Sequence, residues 1–453
     1  MKERLLACMA MLILSSDTFL ASYVGGKVAN LLIAIPFVAL AYLIIVVRPA
    51  QSSGYRDRLS DLFGALAERK VHAVIFGLYF TLFLFSFLRA VQFDTFDLVR
   101  ASYIGIKWFS VVVVLIGVAL DTDDRGGRAP LLRALVIGSA VYSGVNLVAI
   151  GLGISNTVLN AEHLLDAGPS SMLAVIGLNV PRTALPLSAG LNSSGLQVAC
   201  GVAFGYALMR GTEGARGRLF GVLLATSTCI ALLLTDSRGG ALGAGAGVLA
   251  AFIPAPLRRR SRWLAVLLPA LPGLLLLFVM AFQNSSWMLT FQRGGAESLA
   301  GGLSGRPYIW GIILLFLGSF TPTHLIGYGA LGQIGSGVST RYTAIFEGSY
   351  TNPFGLSAHN TVLQAVLDTG YLGAVLQIIL FWCLLEAFGR ESGEKGEGGR
   401  WGLVGYVGTV ALMFIGITGD TLGHGSPNTL LIFLALNIHC LTRGSAPLVP
   451  RER

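Results

Sequence analysis

Long apolar runs separated by short polar segments recur along the whole of this sequence. Twelve runs predict helices, because backbone groups in lipid must find hydrogen bonds within their own segment. The pattern therefore predicts an all-α polytopic membrane protein, with residues 1–453 forming a single integral membrane domain. The predicted helices are 5–21, 28–47, 71–88, 103–120, 131–153, 194–209, 219–235, 240–256, 263–282, 360–388, 401–418 and 428–441.

Composition agrees with a membrane protein. Apolar residues make up 54% of the chain and charged residues 12%, about half the charged fraction of an ordinary soluble domain. We therefore expect no sizeable soluble domain. The first apolar run follows Lys2 and Arg4 but lacks a clear small-residue cleavage motif, so we expect it to be retained as a helix.

The placement of basic residues predicts the orientation. Most of the 32 lysines and arginines fall in segments on the same side as the N-terminus, and the positive-inside rule makes that side cytoplasmic. Both termini are then cytoplasmic, and the long segments 154–193 and 283–359 face outward. The net charge of +9 follows from this distribution, so it does not indicate a nucleic-acid partner.

Metal and disulfide chemistry are not indicated. The five cysteines all lie in apolar runs without metal-ligand spacing, and the acidic run 121–124 is predicted to be a cytoplasmic helix end and loop. No pair of acids on the outer side has evident ligand spacing. We therefore expect neither a metal nor another cofactor.

The large outward segment 283–359 contains a short apolar stretch, Tyr308–Phe320. It is too short to span a membrane, so it predicts an interfacial or re-entrant helix with Pro307 near its first turn. Several glycines follow between 327 and 337, which excludes a regular helix there and allows a close backbone approach to a ligand. An ordinary flexible loop is the alternative.

Three outward basic side chains are the main functional candidates. Arg238 lies in a tight turn between two apolar runs, Arg306 begins the short loop helix, and His359 precedes the long helix 360–388. A guanidinium group can bind phosphate oxygens with two hydrogen bonds, and a histidine can accept a proton near neutral pH. The alternatives are an interfacial arginine, a solvated loop arginine and a structural histidine.

Weaker candidates lie on the same predicted side. Arg182 can add a third positive charge to an anion site, and Asp368 and Asp420 are acids near the last helices. Gly370 and Gly373 are predicted to share a helix face and allow close packing. The other additional candidates are Arg293, Arg341, Glu347 and Asn360.

The motif His359-Asn360-x9-Gly370-x-x-Gly373 is similar to the signature of the bacterial O-antigen ligase and O-antigen polymerase superfamily. The Ser237-Arg238-Gly239 turn, the Gly305-Arg306-x3-Trp310 segment and the twelve-helix layout with one large outward loop resemble further family features. The resemblance implies a membrane glycosyltransferase of the GT-C type in the bacterial inner membrane. Its donor would be a glycan on undecaprenyl pyrophosphate at the periplasmic face.

The resemblance also implies roles for the candidate residues. Arg238 and Arg306 would bind the donor pyrophosphate, and His359 would orient or deprotonate the acceptor hydroxyl. Glu347 would be an additional acid or base. The reaction would be a direct displacement that inverts the anomeric carbon without a metal.

Three functions follow from these features. The motif spacing favours an O-antigen ligase, whose acceptor is a hydroxyl of lipid A–core. A polymerase that joins lipid-linked repeat units shares the same architecture and chemistry. A transporter also suits twelve helices, but the sequence shows neither repeated halves nor a chain of charges along the middle of the membrane.

Overall fold

A computed structural model of the chain describes the ranges 10–14, 16, 20, 23–24, 26–47, 63–64, 66–120, 129–154, 170–174, 177–188, 191–282, 305–343, 355–423 and 425–443. These residues form a bundle of α-helices. The fold is all-α and polytopic, as the apolar runs predicted.

The longer helices are numbered here in chain order. They are α1 (Gly26–Tyr42, extended by a π-helical turn, Leu43–Val47), α2 (Lys70–Gln92), α3 (Leu98–Leu120), α4 (Pro130–Gly151), α5 (Leu191–Gly211), α6 (Ala215–Thr235), α7 (Arg238–Ala250), α8 (255–282, with two 3-10 turns), α9 (Arg306–Gly318), α10 (Thr361–Glu391), α11 (Glu397–Thr418) and α12 (Pro427–Thr442). Shorter helical turns occur at Ser171–Ala174, Thr323–Ile326, Gly332–Gly335 and Thr340–Thr343.

Within the described residues, eight helices are long and apolar enough to cross a membrane, so the chain is a multi-pass membrane protein. They are α1 with its π-helical turn, α2, α3, α4, α6, α8, α10 and α11. Eleven of the twelve predicted segments correspond to one of the helices α1–α8 and α10–α12. The remaining prediction, 5–21, lies mostly outside the described residues.

The predicted boundaries between two helices, 240–256 and 263–282, differ from the structure. The prediction placed a helix at 240–256, whereas α7 ends at Ala250 and α8 already begins at Ala255. Pro254 separates them: it has no backbone N–H to continue the preceding helix, and it suits the start of the next one. The turn between α7 and α8 therefore lies several residues earlier than predicted.

Helices α11 and α12 form the centre of the bundle, since they are buried along almost their whole length. Small residues allow this close packing. A Cβ added at Gly408 would meet the ring of Phe204 in α5, and one added at Gly405 would meet the ring of Phe388 in α10. Close approach through small residues is a common way for helices to pack in lipid.

Helix α10 is kinked at Gly370, which corrects the prediction that Gly370 and Gly373 share one helix face. Gly370 has φ 76° and ψ −178°, which is not helical. The kink frees two carbonyl groups of the preceding turn. Tyr328 N donates to Leu367 O at 2.7 Å, and Gly329 N donates to Asp368 O at 3.0 Å.

The kink thus fastens the segment after α9 to the first half of α10. A Cβ at Gly370 would meet the backbone of Leu325 and Ile326, so the backbones of these two segments are in direct contact. The expectation of an irregular, glycine-rich segment after a short helix agrees with the structure, because the described residues between α9 and α10 contain only short helical turns. Here the close backbone approach serves packing within the protein.

Candidate functional site

His359 lies immediately before α10, at the end where the chain enters the bundle. Asn360 is the N-cap of the helix: its Oδ1 accepts hydrogen bonds from Val362 N and Leu363 N, both at 3.0 Å. Its Nδ2 donates to Ile417 O at 3.0 Å. His359 itself adopts φ +47°, a left-handed conformation that is uncommon for a residue with a Cβ. Asn360 therefore holds the motif in place, and the chain turns sharply at the histidine.

Arg306 is the first residue of α9, after Gly305 in a left-handed conformation and before Pro307. Helix α9 is attached to the histidine segment, because Trp310 Nε1 donates to Ala358 O at 2.9 Å. Burial, together with the positive charge of Arg306, lowers the pKa of His359 to about 3. Arg306 and His359 are therefore electrostatic neighbours, and the imidazole is neutral near pH 7.

Arg238 is the first residue of α7. Ser237 is the N-cap of that helix and accepts a hydrogen bond from Gly240 N at 3.2 Å. Asp236 ends α6 with φ 48°, which lets the chain reverse in two residues. The tight turn predicted from the sequence is therefore present, and it fixes the backbone position of Arg238.

The end of α11 lies between the arginine turn and the histidine segment. A Cβ at Gly239 would meet Thr418 Oγ1. On the other side, Thr361 Oγ1 donates to Gly419 O at 2.9 Å. Arg238 and His359 each lie one or two residues from these contacts. The structure thus brings Arg238, Arg306 and His359 to one end of the bundle.

Arg182 lies at the same end of the helix bundle. Its Nε donates to Thr235 O at 2.9 Å, three residues before Arg238. Asp236 Oδ1, in the same turn, accepts a hydrogen bond from Met172 N at 3.1 Å. Arg182 therefore lies close to the turn that carries Arg238, and its contribution to an anion site stays a prediction.

The structure places the guanidinium group of Arg341 against helix α9. Arg341 is exposed on the turn Thr340–Thr343, and its guanidinium carbon lies 5.6 Å from the centroid of the Phe316 ring. Phe316 is ten residues after Arg306 on α9, roughly 15 Å along the helix axis. Arg341 therefore lies toward the far end of α9. Glu347 and Arg293 are outside the described residues.

A buried amide network, which the sequence interpretation missed, supports the histidine segment. Gln364 Oε1 accepts from Ala358 N at 2.9 Å, and Gln364 Nε2 donates to Gln333 Oε1 at 2.8 Å and to Asp368 Oδ1 at 2.7 Å. Gln333 belongs to the turn after α9. One side chain therefore joins α10, the residue before His359 and the segment that follows the arginine helix.

A signal for this network is present in the sequence. Asn360, Gln364 and Asp368 are spaced by four in an otherwise apolar helix, so they form a polar stripe on one face. Polar groups in a membrane helix usually have partners inside the protein. The partners themselves come from a distant loop segment, which the spacing alone does not reveal.

The arrangement suits an anion beside a neutral base. Arg238 and Arg306 are each the first residue of a 13-residue helix. The free N–H groups and the dipole of a helix N-terminus favour negative charge, and each guanidinium group adds to that effect. Within the described part of the chain, no group of three or more His, Cys, Asp or Glu residues is placed to hold a metal ion.

Comparison with protein families identifies the same region. Residues 220–378 match the family model described as O-antigen ligase. The match runs from α6 into α10 and includes Arg238, Arg306 and His359. It confirms the resemblance to the O-antigen ligase and polymerase superfamily. A search among curated proteins gives no match to this chain.

Proposed function

Taking the O-antigen ligase match over residues 220–378 as the premise, we propose that this chain is a glycosyltransferase of the bacterial inner membrane. It transfers an O-antigen glycan from undecaprenyl pyrophosphate to a hydroxyl group of lipid A–core, in the synthesis of lipopolysaccharide. The fold would be of the GT-C type, with both termini cytoplasmic and the site facing the periplasm. The excess of basic residues in the segments on the side of the N-terminus supports this orientation.

One observation carries the proposal: two arginines that begin helices lie at the same end of the bundle as a neutral, partly buried histidine. Two such helix ends favour the binding of a lipid-linked anion, and we propose that this anion is a pyrophosphate group. Arg238 and Arg306 would bind its oxygens with paired hydrogen bonds, and Arg182 would add a third positive charge.

The proposed reaction is a single displacement. The oxygen of the acceptor hydroxyl attacks the anomeric carbon, and the bond from that carbon to the pyrophosphate oxygen breaks. The bonding electrons leave with the lipid pyrophosphate, and His359 accepts the hydroxyl proton. The anomeric centre inverts. Negative charge grows on the leaving group during this step, so the two arginines stabilise the transition state more than the bound donor, without a metal ion.

In this proposal, the low pKa of His359 fits a sequence in which the donor binds first and the histidine then acts as a base. In the free protein, the positive charge of Arg306 opposes protonation of the imidazole. A bound pyrophosphate would offset that charge and so raise the pKa of His359. The histidine would become a better base only when the donor is present. Asn360 would act by holding the segment, and Glu347 remains a proposed additional acid or base.

The test is a product assay with purified protein in membranes. Lipid-linked glycan is supplied either with lipid A–core or with more lipid-linked glycan alone. The proposal expects the glycan to appear on lipid A–core. Growth of longer lipid-linked glycans without any transfer to lipid A–core would instead identify a polymerase, and the absence of both products would contradict a transferase.

A further inference from the structure

A small polar cavity lies inside the bundle beside the first half of α10. It is bounded by α2, by α10 and by the segment that follows α11. Its walls include two carboxyl groups as well as amide and hydroxyl groups. The polar lining residues include Tyr79, Gln364, Asp368, Gln377 and Asp420.

Both carboxyl groups in the cavity accept hydrogen bonds from neighbouring groups. Asp368 Oδ1 accepts from Gly332 N and from Gln364 Nε2, both at 2.7 Å. Asp420 Oδ1 accepts from Gly423 N at 3.0 Å, and the Asp420 carboxyl group also accepts from the backbone N–H of Leu422. Each carboxyl group is therefore held in place at the wall of the cavity.

Gln377 gives an independent indication that the cavity holds a polar partner. Its side chain is 2% exposed and lines this cavity as well as a second cavity next to it. Its Nε2 has no hydrogen-bond partner among the described residues. A buried amide group without a hydrogen-bond partner is unfavourable, so an acceptor in the cavity would satisfy it. A carboxyl oxygen, or a water molecule bound to one, meets that need.

Among the residues that the structure describes, none that lines this cavity carries a positive charge. From the elements packed around it, α2 supplies Tyr79, and the segment after α11 supplies Asp420. Arg89 of α2 donates instead to Gly327 O at 2.8 Å. His324 packs among aromatic rings, and the buried Lys107 of α3 lies beside the Trp108 ring; neither lines the cavity. No Lys, Arg or His among the lining residues can neutralise two carboxylates.

We propose that Asp368 and Asp420 share one proton across this cavity, and that the pair positions the segment that carries His359. Two carboxylates in one buried, cation-free space cannot both remain ionised, because each negative charge opposes the other. Burial also raises the pKa of Asp420 to about 6. The pair therefore titrates as a unit.

The hydrogen bonds connect the pair to the candidate site. Asp368 holds Gln364, and Gln364 holds Ala358 N, next to His359. Asp368 also holds Gly332 of the segment after α9. Loss of the shared proton places a second negative charge in the cavity and pushes the carboxylates apart. Asp368 can move only by disturbing its two partners, so His359 is displaced.

The proton itself is tested without any glycan transfer. Infrared difference spectra of the full-length protein in lipid record the carbonyl stretch of a protonated carboxyl group. The wild type should show this band at pH 7 and lose it at alkaline pH. The Asp368→Asn/Asp420→Asn double variant should show no such band. Asp97→Asn, which changes an exposed acid, should keep it.

These spectra test whether the two carboxyl groups share a proton, and they do so independently of the proposed function. A wild type without the band at pH 7, or a band that persists in the double variant, would overturn the inference even if the protein transfers glycan. A band that behaves as described would stand even if the protein proves to have another activity.

The positioning role rests on the proposed function and is tested by the pH profile of glycan transfer. The wild-type rate should fall at alkaline pH as the shared proton leaves. In Asp420→Asn, the cavity never has to hold two negative charges, so this alkaline loss should change position or disappear. If the transfer rate of Asp420→Asn falls at alkaline pH just as that of the wild type does, the positioning role is contradicted.

Discussion

Trp310 Nε1 donates a hydrogen bond to the carbonyl oxygen of Ala358 at 2.9 Å. This bond joins two parts of the chain that are 48 residues apart. It fixes the first turns of α9, which begins at Arg306, against the residue before His359. The relative position of the arginine and the histidine therefore depends on a buried tryptophan.

Trp310→Phe should weaken glycan transfer without abolishing it. The substitution keeps an aromatic ring but leaves Ala358 O without its partner, a loss of about 0.5–1.5 kcal/mol, or roughly up to tenfold in rate. The measurement is the initial rate of transfer in membranes. Trp263→Phe is the control, because that ring is 60% exposed and lies outside the site. Equal rates for both variants would show that the bond does not matter.

Arg306→Gln should raise the pKa of His359. The positive charge of Arg306 is one of the two causes that hold this pKa near 3, and the larger cause, burial, remains in the variant. The measurement is an NMR titration of labelled histidine in the donor-free protein. Added inorganic pyrophosphate should raise the pKa in the wild type as well, and should do so less in the variant. An unchanged His359 titration in Arg306→Gln would show that the two groups do not interact.

The same pKa predicts how acid affects stability. His359 stays neutral in the folded protein down to about pH 3, whereas an unfolded histidine binds a proton below about pH 6.5. The unfolded state therefore binds more protons between these values, and the stability that His359 contributes is lost as pH falls from about 6.5 toward 3. Thermal unfolding of His359→Gln should depend less on pH over that range than unfolding of the wild type.

Gly370→Ala should destabilise the protein strongly. Its φ of +76° disfavours any residue with a Cβ, and the added atom would meet the backbone of Leu325 and Ile326. We expect a lower unfolding temperature and a loss of several kcal/mol, about 1–3 from strain alone. Gly144→Ala is the matched control, because it is within helix α4 and has open space. That variant should be neutral or stabilised by up to about 1 kcal/mol.

Arg238→Lys tests whether paired hydrogen bonds to the donor are needed. Lysine keeps the charge but loses the planar fork of the guanidinium group. Loss of one charged hydrogen bond, about 1.5–3 kcal/mol, should lower the transfer rate about 10- to 100-fold. Arg100→Lys is the control, since Arg100 is an exposed residue near the start of α3. Full activity of Arg238→Lys would exclude an obligatory paired contact.

The sequence predicts the site better than the connections that support it. Arg238, Arg306 and His359 stand out because charged groups are rare in an apolar chain, and helix order brings them to one side. Arg341 satisfied the same criterion, yet it lies near Phe316, because nothing in the sequence gives the path of the segment after α9. The network around Gln364 was missed for the same reason.

Gly370 shows a second limit on what can be predicted from the sequence. The spacing of Gly370 and Gly373 fits two residues on one face of a regular helix. The kink forms because the carbonyls of Leu367 and Asp368 bond to Tyr328 and Gly329 instead. Those partners precede the kink by about forty residues. Local periodicity cannot report a contact between such distant segments, and a glycine permits both conformations.

The central claim is that His359 accepts the proton of the acceptor hydroxyl beside a pyrophosphate held by Arg238 and Arg306. The most direct measurement is the rate of glycan transfer to lipid A–core by His359→Ala, compared with wild type and with Arg100→Ala in the same membranes. Loss of a general base should lower the rate about 10²- to 10⁴-fold, while Arg100→Ala keeps the wild-type rate. A His359→Ala protein that transfers glycan at the wild-type rate would contradict the account.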